Sequence, residues 1–123
     1  MHYSHLIVDD TQVNRYIISR YLQKYNSKFH IDEASNGEDA LEKVKNNNYD
    51  LIFMDIRMPG KYNGIETCQI IKKENPNQIV IGFTGQIEIN NLKIFDKMLE
   101  KPIGRVDINK LLDSYYKPNT SLN

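Results

Sequence analysis

The sequence predicts an α/β protein, a doubly wound five-stranded parallel sheet with helices on both faces. Short apolar segments alternate with segments of helical periodicity along the 123 residues, and such alternation is typical of strand–helix–strand units. The first, third and fourth apolar segments are almost continuously hydrophobic, as parallel strands buried on both faces are. Ligands of such sheets bind beyond the carboxyl ends of the strands, so the residues there are the candidate functional residues.

The first half of the chain contains two predicted strand–helix units. The segment HLIVDD, residues 5–10, is a short apolar run that ends in two acids, and residues 11–25 follow with apolar side chains at helical spacing. Residues 28–34 alternate apolar and polar, as a half-exposed strand does. In residues 35–48, Ala40, Leu41 and Val44 line one side of a second helix, which a run of asparagines ends.

The second half contains the remaining three predicted strands. Residues 51–54 form the third strand, and Asn63 can cap the following helix with Glu66 three residues later, before Pro76 ends it. Residues 78–85 predict a central strand, residues 97–102 a weak fifth strand and residues 106–116 a final helix. Residues 1–117 are therefore the predicted domain, and residues 118–123 a flexible tail.

Composition excludes several classes of function. The formal net charge is zero, so neither nucleic acid nor an anionic membrane surface is an expected partner. Cys68 is the single cysteine and cannot form an internal disulfide, which favours a cytoplasmic location. No apolar run approaches the roughly 20 residues of a membrane span. The three histidines lack the spacing of a transition-metal site.

Polar side chains follow four of the predicted strands. They are Asp9 and Asp10 after the first strand, Asp55 after the third, Thr84 after the fourth and Lys101 after the fifth. Three carboxylates held close together repel one another unless a cation offsets their charge. Carboxylate oxygens are ligands that suit Mg²⁺, which commonly takes one or two of them together with phosphate oxygens. The sequence therefore predicts a magnesium site at this edge of the sheet.

Four separated blocks, VDDTQVNR, FMDIRMP, FTG and EKPI, resemble in order and approximate spacing the signature blocks of the response-regulator receiver domain. The resemblance extends over nearly the whole chain and implies a flavodoxin-like fold with strand order 2-1-3-4-5. The residues Asn14-Arg15, Met54 and Pro102-Ile103 resemble those of receivers that serve hybrid histidine kinases. A histidine kinase or a histidine phosphotransfer protein is therefore the expected partner, and a downstream protein the expected target.

The resemblance also implies a role for each site residue. Asp55 would accept a phosphoryl group from a phosphohistidine, and Mg²⁺ would be bound by Asp9, Asp10, Asp55 and the backbone carbonyl of Arg57. Lys101 would pair with Asp55 and then with a phosphoryl oxygen. The remaining implied residues are Thr84, Gly85 and Met98 at the phosphate-binding and switch positions, and Arg57 and Gln86 at the positions that tune how long the phosphoryl group persists.

The chain departs from the family pattern in three places. The loop MPGKYNG, residues 58–64, is one residue longer than usual. The connection from Thr84 to Lys101 is short and has Asn90-Asn91 in its middle, so the fourth helix should be short or irregular. Met98 stands where receivers commonly carry an aromatic switch residue, and a flexible methionine would define such a switch less sharply.

Two other functions remain open at this stage. A degenerate receiver could act only as a binding module, although all the expected site residues are present. A Mg²⁺-dependent phosphatase with an aspartyl-phosphate intermediate would need a second acid two residues after its nucleophile, and Arg57 occupies that position. The expected function is therefore that of a phosphoacceptor and not of an enzyme, with at most self-catalysed phosphorylation and dephosphorylation.

Overall fold

The computed structural model describes residues 2–85 and 92–117. The predicted tail and Gln86 lie outside the described residues, and the predicted domain boundary at residue 117 stays a prediction. The elements are β1 (Ser4–Val8), α1 (Gln12–Tyr25), β2 (His30–Ala34), α2 (Gly37–Asn46), β3 (Leu51–Asp55), α3 (Gly64–Glu74), β4 (Val80–Thr84), a 3₁₀ turn (Leu92–Ile94), β5 (Lys97–Glu100) and α4 (Arg105–Tyr116).

All five strands are parallel, in the order β2-β1-β3-β4-β5, which confirms the predicted sheet. In the register of the inner strands, Val8 pairs with Met54 and Asp55 pairs with Phe83. The chain therefore leaves β1, β3 and β4 at neighbouring points on one edge of the sheet.

The core is divided by the sheet, because successive residues of a strand point to opposite faces. On one face Leu6 and Ile52 pack with buried residues of α2 and α3, including Cys68. On the other face Ile7 and Phe53 pack with buried residues of α1 and α4. Both faces are covered by helices, which explains why the inner strands β3 and β4 are almost wholly apolar.

The start of α3 follows from its sequence. The Asn63 side chain accepts a hydrogen bond from the Glu66 backbone N–H, and the Glu66 carboxylate accepts one from the Asn63 backbone N–H. Each bond satisfies a donor that the helix leaves unpaired at its first turn. The predicted capping pair is therefore confirmed, and it fixes where the chain enters α3 after leaving the tip of β3.

Within the described residues, the connection between β4 and β5 contains only the 3₁₀ turn Leu92–Ile94. This agrees with the expectation of a short or irregular fourth helix. Phe95 and Met98 pack directly on Gly82 of β4, where an added Cβ would lie 2.9 Å and 2.6 Å from their side chains. Lys72 of α3 pairs with Asp96 at 2.5 Å. In the described part of this connection, Phe95 and Met98 therefore cover β4 at Gly82.

Within the part of the chain that the structure describes, no helix has the length and apolar character needed to cross a membrane.

Candidate functional site

The carboxyl edge of the sheet brings together the predicted site residues. Asp55 is the last residue of β3, Thr84 is the last of β4, and Asp9 and Asp10 directly follow β1. One carboxylate oxygen from each of Asp9, Asp10 and Asp55 lies within 4.8 Å of the other two. Lys101, directly after β5, reaches into the same group. Three segments that are distant in the sequence therefore build one cluster of charge, and Thr84 ends the strand beside it.

Lys101 forms ion pairs with two of the acids. Its Nζ lies 3.3 Å from Asp55 Oδ1 and 3.6 Å from Asp9 Oδ2, and 5.3 Å from the centre of the buried Phe83 ring. Its backbone N–H donates to the carbonyl of Thr84 at 2.9 Å, and the Lys101–Pro102 peptide is cis. The ammonium is therefore held between the two buried carboxylates.

Asp55 has an unusual charge environment. It is 2% exposed, and its Oδ1 accepts a hydrogen bond of 3.3 Å from the backbone N–H of Arg57. Burial, followed by repulsion from Asp9, raises the pKa of Asp55 to about 6, and Lys101 and the Arg57 N–H act in the opposite direction. The Asp55 carboxylate is therefore ionised at neutral pH, and its neighbours do not fully offset its negative charge.

Asp9 presents a buried oxygen toward the centre of the site. The residue is 0% exposed, its Oδ1 accepts from the Thr11 backbone N–H at 2.8 Å, and its Oδ2 has no hydrogen-bond partner among the described residues. A buried carboxylate oxygen without such a partner is costly. Together with the exposed Asp10 and with Asp55, this donor set fits a hard divalent cation.

Gly64 is a structural requirement of the site that sequence analysis missed. A Cβ added to it would lie 2.0 Å from the backbone oxygen of Asp55 and 2.7 Å from the Cα of Ile56. Its N–H donates to the carbonyl of Ile56 at 2.9 Å. In the sequence, Gly64 marks only the end of the loop 58–64 and Asn63 only the start of the following helix. The signal that could have revealed the contact is a glycine at the point where the chain returns from the Pro59-Gly60 turn.

The other predicted residues lie around this cluster. Thr84 is buried and Gly85 is exposed, and no described residue lies within 4 Å of a Cβ built on Gly85. Met98 is half-buried against the core beside Gly82. Arg57 is exposed at the rim, and the role of its carbonyl as a metal ligand remains a prediction. The role of Gln86 also remains a prediction.

Comparisons with known proteins agree with this geometry. The family model described as "Response regulator receiver domain" matches residues 6–113. The autoinducer 1 sensor kinase/phosphatase LuxN of Vibrio campbellii is 36% identical over 122 residues, which cover 94% of this chain and 14% of LuxN. The transcriptional regulatory protein ResD of Bacillus subtilis is 37% identical over 91 residues, 74% of this chain and 37% of ResD. The chain thus spans a minor part of each relative.

Solved structures share the fold. A response regulator receiver domain protein from Methanospirillum hungatei superposes with a TM-score of 0.85 over all of both chains, at 20% identity. The response regulator TrrA of Thermotoga maritima, in complex with Mg²⁺ and beryllofluoride, has a TM-score of 0.82 and 29% identity over 91% of this chain and 97% of that one. The family match, the identity to LuxN and the shared sheet show that this chain belongs to the response regulator receiver domain family, the phosphoacceptor domains of two-component signalling.

Proposed function

We propose that Asp55 accepts a phosphoryl group from the phosphohistidine of a histidine kinase or a histidine phosphotransfer protein. The observation that carries this proposal is the position of Asp55, which lies in a three-carboxylate cluster and 3.3 Å from Lys101 Nζ. An ordinary acidic strand terminus would lie in water. This one is buried, and the groups around it are those that stabilise charge on phosphoryl oxygens.

The proposed reaction is a simple displacement. An Asp55 carboxylate oxygen attacks the phosphorus atom, an oxygen–phosphorus bond forms, and the phosphorus–nitrogen bond to the donor histidine breaks. The donor imidazole, which carries a proton on its other ring nitrogen, leaves as the neutral ring, and the product is an aspartyl phosphate. Lys101 then pairs with a phosphoryl oxygen instead of the carboxylate, and the Thr84 hydroxyl donates a hydrogen bond to a second phosphoryl oxygen. Because these groups are already in place, the protein needs little rearrangement during phosphoryl transfer.

Magnesium is the proposed cofactor. Asp9, Asp10 and Asp55, with the backbone carbonyl of Arg57, would hold the ion, and the ion would offset the negative charge of the acids and of the incoming phosphoryl group. The buried Asp9 Oδ2, which has no hydrogen-bond partner among the described residues, supports this assignment. The Mg²⁺ and beryllofluoride complex of TrrA supports the choice of ion.

We further propose that the chain is an acceptor domain and not a turnover enzyme, since Arg57 stands where an aspartyl-phosphate phosphatase would need its second acid. Signalling would proceed by contacts with a downstream protein or by relay of the phosphoryl group. Cys68 is a buried free thiol, which supports the proposed cytoplasmic setting.

The test is incubation with acetyl phosphate and Mg²⁺, followed by intact-mass measurement. We expect the wild type to gain one phosphoryl group and Asp55→Asn to gain none. Asp50→Asn is the matched control because Asp50 lies just before the opposite end of the same strand and is exposed, so it should be modified like the wild type. An unmodified wild type would favour the binding-module function, and sustained turnover of a phosphatase substrate would favour the enzyme.

A further inference from the structure

Arg15 connects three parts of the fold beside the site. It is the fourth residue of α1, and its side chain is 15% exposed. One guanidinium nitrogen, Nη1, donates to the backbone carbonyl of Asp9 at 2.6 Å, and Nε donates to Glu33 Oε1 at 2.8 Å. Arg15 therefore joins α1, the exit of β1 and the edge strand β2.

The bond to the Asp9 carbonyl completes a frame around that residue. The Asp9 N–H donates to the carbonyl of Ala34 at 3.1 Å, and Asp9 Oδ1 accepts from the Thr11 N–H. With the Arg15 bond, both backbone polar groups and one carboxylate oxygen of Asp9 are fixed. The second oxygen, Oδ2, points toward Lys101 at 3.6 Å.

Fixing this carbonyl also restrains the next residue. The peptide unit is planar, so the direction of the Asp9 C=O determines the direction of the Asp10 N–H and the position of the Asp10 Cα. Asp10 is exposed, in contrast to Asp9. The direction of the Asp10 carboxylate therefore depends on the Asp10 backbone, and Arg15 fixes the peptide unit that sets this direction.

Arg15 is balanced in charge, which favours a geometric role. The Glu33 carboxylate neutralises the guanidinium at 2.8 Å, and the Glu33 backbone carbonyl accepts from Lys43 Nζ, which ties β2 to α2. The two bonds of Arg15 use nitrogens that a planar guanidinium keeps at a fixed angle. A lysine has one ammonium in place of this fork and cannot reproduce both bonds.

We propose that Arg15, held by Glu33, is a positioning residue that aims the carboxylate of Asp10 at the divalent cation. This inference rests on the proposed metal-assisted function, and it adds to that function a support outside the acidic cluster. Residues that orient metal ligands commonly change metal affinity by about tenfold or more when removed.

The experiment is a titration of the full chain with Mg²⁺ by isothermal calorimetry. We expect Arg15→Gln to weaken Mg²⁺ binding by about tenfold, and Arg15→Lys, which keeps the charge and should fold, to weaken it several-fold. Arg20→Gln is the matched control, because Arg20 lies on the same helix, is exposed and stacks on Tyr16. It should bind Mg²⁺ like the wild type.

A double-mutant cycle separates positioning from general destabilisation. Glu33→Ala should weaken Mg²⁺ binding, and the double variant Arg15→Gln/Glu33→Ala should be no weaker than Arg15→Gln, because Glu33 acts through Arg15. In the metal-free protein, hydrogen exchange of the Asp9 and Thr11 amides, which donate to Ala34 and to Asp9 Oδ1, should accelerate in Arg15→Gln and stay unchanged in Arg20→Gln. Unfolding by urea in EDTA gives the stability of each variant separately.

The outcomes distinguish the two proposals. Wild-type Mg²⁺ binding that Asp10→Asn abolishes supports the proposed site. If Arg15→Gln then binds Mg²⁺ as tightly as Arg20→Gln does, or if Arg15→Lys equals the wild type, the positioning role is wrong and the proposed function stands. A wild type that binds no Mg²⁺ would overturn the proposed metal-assisted function itself.

Discussion

Asp55, the proposed phosphoacceptor, has a carboxylate whose burial beside Asp9 costs free energy when it is ionised. Its pKa is raised from 3.8 to about 6 by burial and by Asp9, so the folded protein binds this proton more tightly than the unfolded chain does. The stability contributed by the protonated form is present below pH 3.8 and is lost as pH rises through about 6. Above that pH the charge destabilises the fold.

Replacing Asp55 by asparagine should therefore stabilise the metal-free protein. We expect the free energy of unfolding of Asp55→Asn to exceed that of the wild type by roughly 1–3 kcal/mol at pH 7.5, and the difference to shrink at pH 5. Urea unfolding in EDTA at both pH values measures it. Added Mg²⁺ should stabilise the wild type and leave the variant nearly unchanged.

Glu42→Gln serves as the control, since Glu42 is an exposed carboxylate on α2, and its stability should match that of the wild type at both pH values. If the wild type is as stable as Asp55→Asn at pH 7.5, or if the stability gained by Asp55→Asn does not depend on pH, then the ionised Asp55 does not destabilise the fold.

Arg57 lies two residues beyond Asp55 at the exposed rim of the site. A guanidinium there can bond phosphoryl oxygens and exclude the attacking water. We expect Arg57→Ala to shorten the lifetime of the aspartyl phosphate several-fold, measured as the decay of the phosphorylated mass after acetyl phosphate is removed. Lys61→Ala removes a cation from the same loop and should leave the decay rate unchanged; an unaltered lifetime in Arg57→Ala would contradict the shielding role.

The first residue of α3, Gly64, packs directly against the end of β3. In Gly64→Ala the new Cβ would lie 2.0 Å from the backbone oxygen of Asp55, and neither backbone segment can yield without moving Asp55. We expect a loss of about 3 kcal/mol in the free energy of unfolding, measured by urea titration, although alanine is the better helix former.

Gly104→Ala is the matched comparison, because Gly104 is the N-cap of α4. Only Asp107 Oδ2 lies near a Cβ added to Gly104, at 3.7 Å. The free energy of unfolding of Gly104→Ala should fall by about 1 kcal/mol or less, the usual cost of alanine at a helix N-cap. Equal losses in the two variants would mean that the contact with Asp55 is not the cause.

At the level of the whole molecule, the first strand and the last helix meet through a buried histidine. His5 Nε2 lies 2.8 Å from the Tyr116 hydroxyl, and the ring packs between Phe29 and Phe53. Burial lowers the pKa of His5 to about 4, against a smaller opposite effect of Asp50. The unfolded chain therefore takes up this proton first, and stability present above pH 6.5 is lost as pH falls toward 4.

Replacing His5 by phenylalanine should remove this dependence. Relative to its value at pH 7.5, the stability of the wild type should fall by up to about 3 kcal/mol more than that of His5→Phe at pH 4. Urea unfolding across this pH range measures the difference in the free energy of unfolding between the two proteins. Because both proteins contain Asp55, its opposite pH dependence cancels in this difference. Parallel pH profiles would contradict a neutral, buried His5.

The sequence was sufficient wherever a structure depends on near neighbours. The apolar runs predicted the strands because both sheet faces are covered, and Asn63 with Glu66 predicted the start of α3 because a capping box needs only a four-residue spacing. The alternation of elements predicted the sheet, and the acids at the strand ends predicted which edge carries the site. Each of these follows from periodicity or from the chemistry of one short segment.

The remaining features depend on contacts between distant segments. The raised pKa of Asp55 arises from burial and from Asp9 across the sheet, the constraint on Gly64 from the carbonyl of Asp55, and the setting of Arg15 from Glu33 on the edge strand. Local sequence contains no record of these distances, because strand register and helix packing set them when the whole chain folds. That is why the site's composition could be read in advance, whereas its electrostatics and its supporting residues required the three-dimensional structure.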